Sequence, residues 1–385
     1  MRPGDEAELA AMLRDAEGPL AVRGGGTRVP CALAGTVLET GGLSGITLYE
    51  PGALTLVVRA GTPLAEVEAA LARENQRLAF EPPDLRGLLG RGGASTIGGV
   101  AAANASGPRR VQAGACRDYM LGVRFVDGAG MAVANGGRVM KNVTGYDLVK
   151  LLAGSHGTLG VLTEVAFKVL PVPETEATLR LTVPGEAAAV AAMAAALGSP
   201  YEVTGAAFTT PHWGNPGEVL LRIEGFSRSV AYRAERLAHL LTAHGIADID
   251  RDPAASAALW RGLRDVTAFH DMPFVARLSL RPSQVAGMMA GVARAHPCTA
   301  LLDWGGGLAW VAADEGLDGG GAGRLLSALH RAAAQAGGHA TLVKGADLVG
   351  DVPLFQPQPP AVAALAAGLR AQFDPRGILN PGLMG

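Results

Sequence analysis

Three glycine-rich segments contain the residues best suited to hold a ligand. They are residues 23–28 (RGGGTR), 90–110 (GRGGASTIGGVAAANASGPRR) and 154–165 (GSHGTLGVLTEV). A backbone without bulky side chains can approach a large ligand closely and direct its N–H groups at it. Because three separate segments share this composition, we expect them to form one site for a long ligand that carries phosphate groups.

The donors for such a ligand can be named within these segments. Buried phosphate charge must meet hydrogen-bond donors, and consecutive N–H groups from Gly24 to Thr27 could form an anion-binding nest. Arg28, Arg109 and Arg110 could balance the charge, although each could equally be a solvated surface arginine. Two other nucleotide signatures are missing, because no Lys follows as in a P-loop and no G-x-G-x-x-G opens a helix of a βαβ unit.

The order of several motifs resembles one flavoprotein family. EPPDL, RDYMLGVRFVDGAG, KNVTGYDL and FDPRGILNPG accompany the glycine-rich segments. Together they resemble the PCMH-type FAD-binding domain of vanillyl-alcohol-oxidase-type flavoproteins and, within it, the FAD-binding subunits of bacterial glycolate oxidases. The resemblance implies that FAD is the cofactor. The contacts that it implies are Arg23, Gly24, Gly25, Gly26, Thr27, Arg28, Thr96, Ile97, Gly98, Gly99, Asn104, Ser106, Gly107, Arg109, Gly157, Thr158, Gly160 and Val161.

The same resemblance implies non-covalent FAD and no metal. Relatives that link flavin covalently have a His in the first glycine loop, where this chain has Thr27 and Arg28. Larger hydroxy-acid-oxidising relatives have a His-rich Gly-Asp-Gly-Asn segment, and the nearest segment in position is 302–310 (LDWGGGLAW). The eight histidines form no H-x-x-x-H or H-E-x-x-H pair, so we expect no metal site.

Four residues are candidates for the flavin face: Lys141, Asn142, Tyr146 and Asn380. A cation could stabilise reduced flavin, and a phenol could orient a carboxylate substrate. A structural role is the alternative for each, since Tyr146 and Asp147 could cap the following helix and Asn380 could fix a turn of the tail.

The composition is that of a folded protein with more than one domain. The chain has 385 residues, of which 49% are hydrophobic and 18% charged, and its net charge of −2 gives no basic surface for nucleic acid. We expect an α+β protein in three parts. These are a two-subdomain FAD-binding domain over residues 1–174, a cap with an antiparallel sheet over 175–357, and a helix and tail over 358–385 that return to the first domain.

Local patterns predict the individual elements. Strands are expected at 36–40, 46–49, 54–59, 122–126, 131–134 and 159–169, with a hairpin turn at 127–130 (DGAG). Thr62 is expected to cap a helix that Pro63 opens. In the cap we expect strands at 177–183, 203–209 and 219–224, and helices at 186–197 and 229–244. A helix at 360–373 carries apolar residues at helical spacing and is expected to dock on the first domain.

Three functional hypotheses remain open from the sequence. The first is an FAD-binding subunit of a glycolate oxidase-type complex, with a larger paralogous flavin subunit and an iron–sulfur subunit as partners, that oxidises a small 2-hydroxy acid. The second is a self-sufficient 2-hydroxy-acid dehydrogenase, and the third a scaffold that uses FAD structurally. The N-terminal segment resembles no secretion signal and no apolar run could span a membrane, so we expect a cytoplasmic protein, either free or held at the membrane by partners.

Overall fold

The computed structural model describes residues 1–138, 145–314 and 316–384. Its helices are α1 Glu6–Arg14, α2 Leu64–Ala72, α3 Arg86–Leu89, α4 Ile97–Ala102, α5 Arg110–Ala113, α6 Cys116–Tyr119, α7 Leu148–Leu152, α8 Glu186–Leu197, α9 Ser227–Leu240, α10 Pro253–Arg264, α11 Pro282–Ala295, α12 Gly321–Gln335 and α13 Pro360–Phe373. Among these described helices, none combines the length and the apolar character that a membrane crossing requires.

The strands form two large sheets and two short pairs. They are β1 Leu20–Arg23, β2 Thr36–Glu39, β3 Ile46–Glu50, β4 Thr55–Arg59, β5 Gln76–Arg77, β6 Met120–Val126, β7 Ala132–Gly136, β8 Val161–Lys168, β9 Leu170–Pro171, β10 Thr175–Val183, β11 Val203–Thr209, β12 Gly217–Gly225, β13 Ala247–Asp250, β14 Phe274–Ser279, β15 Thr299–Asp303, β16 Leu308–Ala313 and β17 His339–Lys344.

The five-stranded sheet is antiparallel and has the order β3-β4-β8-β6-β7. Strands β4 and β8 are rich in β-branched and aromatic residues and lie in its middle, as such residues favour. Helices α2 and α4 cover one face, where Val67 and Ile97 join the apolar core. At the β6–β7 turn, the Asp127 carboxylate accepts hydrogen bonds from the N–H groups of Ala129 and Met131, so the expected hairpin forms.

One predicted helix start is wrong. Helix α2 begins at Leu64, and the side chain of Thr62 makes no cap to it. The Thr62 hydroxyl donates to the Arg59 carbonyl at 2.7 Å and accepts from the Gly45 N–H at 2.9 Å. Its hydroxyl therefore joins two loops, and Pro63 occupies the cap position instead.

The eight-stranded sheet has the order β13-β10-β12-β11-β15-β16-β14-β17, and every paired neighbour is antiparallel. Helices α8, α9, α11 and α12 cover one face and share its apolar core. The opposite face packs around Trp260 and Trp310, and includes Leu88 of α3. This second face therefore meets the N-terminal part of the chain.

The tail after α13 is anchored beside strand β1. Leu379 pairs with Leu20 in parallel, next to the parallel pair β1–β2. Asn380 is buried with a positive φ of 45°, its side-chain oxygen accepts from the Val22 N–H at 2.7 Å, and its amide donates to the His156 carbonyl at 2.8 Å. These bonds fix the tail in one position.

Helix α13 itself is mostly exposed. It has the predicted bounds, but Leu365 is 71% exposed and Val362 and Leu369 also face solvent. Only the end near Phe373 packs inward, where its ring centroid lies 6.1 Å from that of Phe125. The apolar spacing predicted the helix correctly. Among the described residues, however, nothing packs over most of its apolar face.

A buried ion cluster joins the eight-stranded sheet to β5 and to two loops of the N-terminal part, and we define it as Arg77, Glu81, Arg109, Arg222 and Glu224. Arg222 of β12 donates to both oxygens of Glu81, at 3.0 and 2.8 Å. Arg109 donates to both oxygens of Glu224, at 2.8 and 2.6 Å, and Arg77 adds a bond of 2.8 Å. Burial alone would raise the pKa of Glu224, but Arg222, Arg109 and Arg77 hold it well below its usual range.

We expect Glu224→Gln to lower the free energy of unfolding by about 3–5 kcal/mol at pH 7, because it leaves buried arginines without their counter-charge. Urea denaturation measures this effect. The folded pKa of Glu224 is lowered, so its stabilisation is present above the unfolded pKa near 4.3 and is lost as pH falls below that value.

Glu202→Gln is the matched control, because this carboxylate pairs with Arg233 but is 74% exposed. We expect it to cost at most about 1 kcal/mol. Equal losses of unfolding free energy in Glu224→Gln and Glu202→Gln would show that the buried ion cluster stabilises the fold no more than an exposed ion pair does.

Candidate cofactor site

A cleft of about 1320 Å³, measured out to its open mouth, lies where the three glycine-rich segments meet. Strand β1 and the tail form one side, and helix α4 and the start of β8 form the other. Its lining includes the following predicted residues: Arg23, Gly24, Gly25, Gly26, Thr27, Arg28, Thr96, Gly98, Gly99, Gly157, Gly160, Val161 and Asn380. The structure thus brings together residues that are up to 357 positions apart.

The first glycine loop presents free N–H groups to this cleft. Gly26 has a positive φ of 68°, which turns the chain directly after β1. The N–H groups of Gly25, Gly26 and Thr27 donate to no other described residue. Since buried or half-buried N–H groups are normally paired, the loop has the donors that a bound anion would satisfy.

Arg28 adds a cation with unused donors. Its Nη2 atom donates to the Pro83 carbonyl at 2.8 Å and to the Ser95 hydroxyl at 3.0 Å. Its Nε and Nη1 atoms are buried and have no hydrogen-bond partner. Burial lowers the pKa of Arg28 to about 10, so the guanidinium is less favoured in its charged form than in water but is still protonated at pH 7.

The charge of the cleft has one sign. Arg23, Arg28 and Arg91 line it, and no carboxylate side chain is among the described lining residues. Cations without nearby carboxylates attract a polyanion and disfavour a cationic ligand. Arg91, which the sequence analysis did not select, is exposed at the mouth, and the arginine signal in residues 90–110 could have indicated it.

Thr96 explains why small residues are needed beside it. It is the N-cap of α4, and its hydroxyl accepts from the Gly99 N–H at 3.3 Å. A Cβ on Gly24 would lie 2.3 Å from this hydroxyl oxygen, and one on Gly98 would lie 2.6 Å from the Ala60 carbonyl oxygen. These glycines allow two backbones to meet at the floor of the cleft.

His156 lines the cleft and was missed from the sequence. It lies in the third glycine-rich segment with a positive φ of 51°, and its ring packs edge-on against Phe355 at 5.2 Å between centroids. Burial and the nearby charge of Arg277 lower the pKa of His156 to about 4. Its imidazole is therefore neutral at pH 7, and its place in GSHGTLG was the available signal.

Four predicted contacts lie behind the lining. Ile97 is fully buried in the core under α4. The Ser106 hydroxyl accepts from the Cys116 N–H at 2.9 Å, and the Asn104 side chain accepts from the Arg117 N–H at 2.9 Å. The Thr158 hydroxyl donates to the Ser155 carbonyl at 2.7 Å. These side chains shape the loops, because their polar groups already have protein partners.

Two further predicted contacts belong to the junction between the sheets. The Arg109 guanidinium donates two hydrogen bonds to Glu224 and pairs with Glu81 at 3.1 Å, and it does not line the cleft. The Gly107 carbonyl accepts from the Trp304 indole at 3.0 Å, and a Cβ on Gly107 would lie 2.3 Å from the Glu81 carbonyl oxygen. The structure places Arg109 in the ion cluster, where it bonds the eight-stranded sheet to the N-terminal part.

The flavin-face candidates separate into three groups. Asn380 lines the cleft, but its side chain is engaged with Val22 and His156 as described above. The Tyr146 side chain is 89% exposed, and the neighbouring Asp147 caps α7 by accepting from the Lys150 N–H. Lys141 and Asn142 lie outside the described residues. Within the described residues, no three His, Cys, Asp or Glu side chains come together to hold a metal.

Comparisons with known proteins agree with this geometry. Residues 1–135 match the family model of the FAD binding domain. Glycolate oxidase subunit GlcE of Escherichia coli (strain K12) is 34% identical over 377 residues, which cover 95% of this chain and 92% of that protein. Glycolate oxidase subunit GlcD of Bacillus subtilis (strain 168) is 36% identical over 168 residues, which cover 42% of this chain and 34% of that protein.

A solved structure supports the fold. The 4-ethylphenol oxidase from Gulosibacter chungangensis matches with a TM-score of 0.73 at 16% identity, over 100% of this chain and 88% of that one. This likeness confirms the α+β, PCMH-type architecture, and the match to the family model of the FAD binding domain confirms FAD as the cofactor. The chain belongs to the family of glycolate oxidase subunit GlcE, within the FAD-linked oxidoreductases.

Proposed function

We propose that this chain is the FAD-binding subunit of a glycolate oxidase-type complex. In this complex a small 2-hydroxy acid, glycolate, is oxidised to the 2-oxo acid glyoxylate, and electrons leave the flavin for an iron–sulfur partner. The observation that carries the proposal is the similarity to GlcE over nearly the whole length of both chains. The partners that we propose are a larger flavin subunit, similar to GlcD, and an iron–sulfur subunit.

The residues of the cleft suit the groups of FAD. The free N–H groups of Gly25, Gly26 and Thr27 and the open donors of Arg28 would bind the pyrophosphate. Gly157 and Gly160 would let the ligand approach the start of β8 closely. When bound, FAD supplies the acceptor for two electrons and a proton at its isoalloxazine ring.

We also propose that the FAD is bound without a covalent link. Thr27 and Arg28 offer no imidazole in the first loop. Cys31 does line the cleft, but burial raises the pKa of its thiol, which keeps the thiol protonated and weakly nucleophilic.

The larger subunit is our candidate for the step on the substrate. In the segment 302–310 of this chain the one carboxylate is Asp303, which is buried and accepts from the Trp304 N–H at 2.7 Å. This carboxylate already has a structural partner, and no histidine accompanies it in that segment. We therefore assign FAD binding, and electron relay or support of the assembly, to this chain.

Gly25→Ala should remove most of the bound FAD. A Cβ on Gly25 would lie 1.6 Å from the Ala94 carbonyl oxygen, so the first glycine-rich loop would have to move away from the second. The φ of Gly25 is not positive, so this effect comes from the close contact and not from backbone strain. Gly92→Ala is the matched control, because a Cβ there meets nothing within 4 Å. The flavin-to-protein absorbance ratio of the purified variants measures occupancy. Full occupancy in Gly25→Ala would contradict our account of the loop.

The proposed function is tested by purifying the chain alone and together with both partner subunits. We expect the isolated chain to be yellow, to release its FAD on acid precipitation, and not to bleach with glycolate. The assembled complex should oxidise glycolate and reduce an artificial acceptor. Comparable turnover by the isolated chain would identify a self-sufficient dehydrogenase, and a colourless chain that still binds its partners would identify a scaffold.

A further inference from the structure

Two arginines lie over one tryptophan ring where the sheets meet. The guanidinium carbon of Arg110, the first residue of α5, lies 4.4 Å from the centre of the Trp304 ring, and that of Arg277 on β14 lies 5.1 Å from it. Trp304 is held by its indole bond to Gly107 and has a positive φ of 52°. The ring therefore positions two cations from different parts of the fold.

The register of the large sheet locates this group beside the cofactor cleft. Arg277 pairs with Trp310 on one side and with Thr341 on the other, on the face that meets the N-terminal part. Thr341 forms a bridge to Phe355, whose ring contacts His156 in the lining of the cleft. The pKa values of His156 and His339 are both lowered by burial and by the charge of Arg277, as expected if that charge reaches the cleft.

No carboxylate lies within ion-pair distance of either arginine of this pair in the described structure, although Asp118 acts on Arg110 from farther away. Within residues 1–138, 145–314 and 316–384, the side chains of Arg110 and Arg277 make no ion pair and no hydrogen bond. The nearby Asp303 accepts from Trp304, and burial raises its pKa to about 7, so it is only partly charged. Burial and Arg110 lower the pKa of Arg277 to about 10. Two close cations without compensation are unfavourable, and an anion would relieve this cost.

We propose that Arg110 and Arg277, stacked on Trp304, form a binding site for a small carboxylate anion. Planar guanidinium groups match a carboxylate through paired N–H donors, and stacking on an aromatic ring fixes their planes. Arg277 is half-buried, so part of its side chain remains open to solvent. The choice of a 2-hydroxy or 2-oxo acid as the ligand rests on the proposed function. That the site binds a small carboxylate is argued from its charge and geometry alone.

Isothermal titration calorimetry on the purified full chain tests the site, with glycolate and glyoxylate as probes. Glycolamide, the neutral amide of glycolate, and sulfate are the comparison ligands. The variants are Arg277→Gln, Arg110→Gln and, as the matched control, Arg281→Gln, which removes an exposed arginine four residues from Arg277. Flavin content and the melting temperature are measured for each variant to establish that it is folded.

We expect wild type and Arg281→Gln to bind the carboxylates equally and to bind glycolamide at least about tenfold more weakly. Arg277→Gln and Arg110→Gln should each weaken carboxylate binding at least about tenfold and leave flavin content unchanged. Arg277→Lys, which keeps the charge and loses the planar fork, should fall between wild type and Arg277→Gln.

Three results would overturn the proposal. They are no carboxylate binding by wild type, equal binding by the folded Arg277→Gln and Arg281→Gln variants, and sulfate binding as tight as that of glycolate. Calorimetry needs neither turnover nor partner subunits. If the chain does not form the proposed complex, the purification with partner subunits will show it. The calorimetric result on the chain alone is independent of that outcome.

Discussion

The central constraint on this structure is a group of hydrogen-bond donors that have no acceptors among its described residues. In the cofactor cleft, three consecutive N–H groups and two guanidinium nitrogens of Arg28 are unpaired among the described residues, and no carboxylate faces them. An unpaired buried donor costs about 1–3 kcal/mol. Several such donors in one place favour an anionic ligand, and we propose that the pyrophosphate of FAD would satisfy them together. We therefore expect bound FAD to stabilise the folded protein as well.

The ion cluster fixes the eight-stranded sheet against the N-terminal part, which contains this cleft. Arg222 and Glu224 lie on β12, and their partners Glu81 and Arg109 come from the N-terminal part. A buried network of paired charges constrains the position of the eight-stranded sheet more strictly than apolar packing does. At the same junction the Trp304 indole donates to the Gly107 carbonyl, and the guanidinium groups of Arg110 and Arg277 stack on its ring. The same junction thus contains the ion cluster and the two arginines, Arg110 and Arg277, whose side chains have no ion pair.

Local features of the structure could be predicted from the sequence. The strands follow runs of β-branched residues, the hairpin follows Asp127 to Gly130, and α8 and α13 have the predicted bounds. The glycine-rich segments do form one cleft, because each keeps two backbones close together. Features that depend on distant partners could not be predicted. Arg109 pairs with Glu224, 115 residues later, and the apolar spacing of α13 contains no information on what covers it.

The most direct test of the central claim compares two flavins that differ in their phosphates. Apo-protein is titrated with FAD and with riboflavin by flavin fluorescence, for wild type and for Arg28→Gln. If the open donors of Arg28 bind pyrophosphate, the substitution should weaken FAD binding about 10- to 100-fold, since a hydrogen bond to a charged group contributes about 1.5–3 kcal/mol. Riboflavin binding should be unchanged. An equal loss for both flavins would contradict the account, because Arg28 would then act on the shape of the cleft and not on the anion.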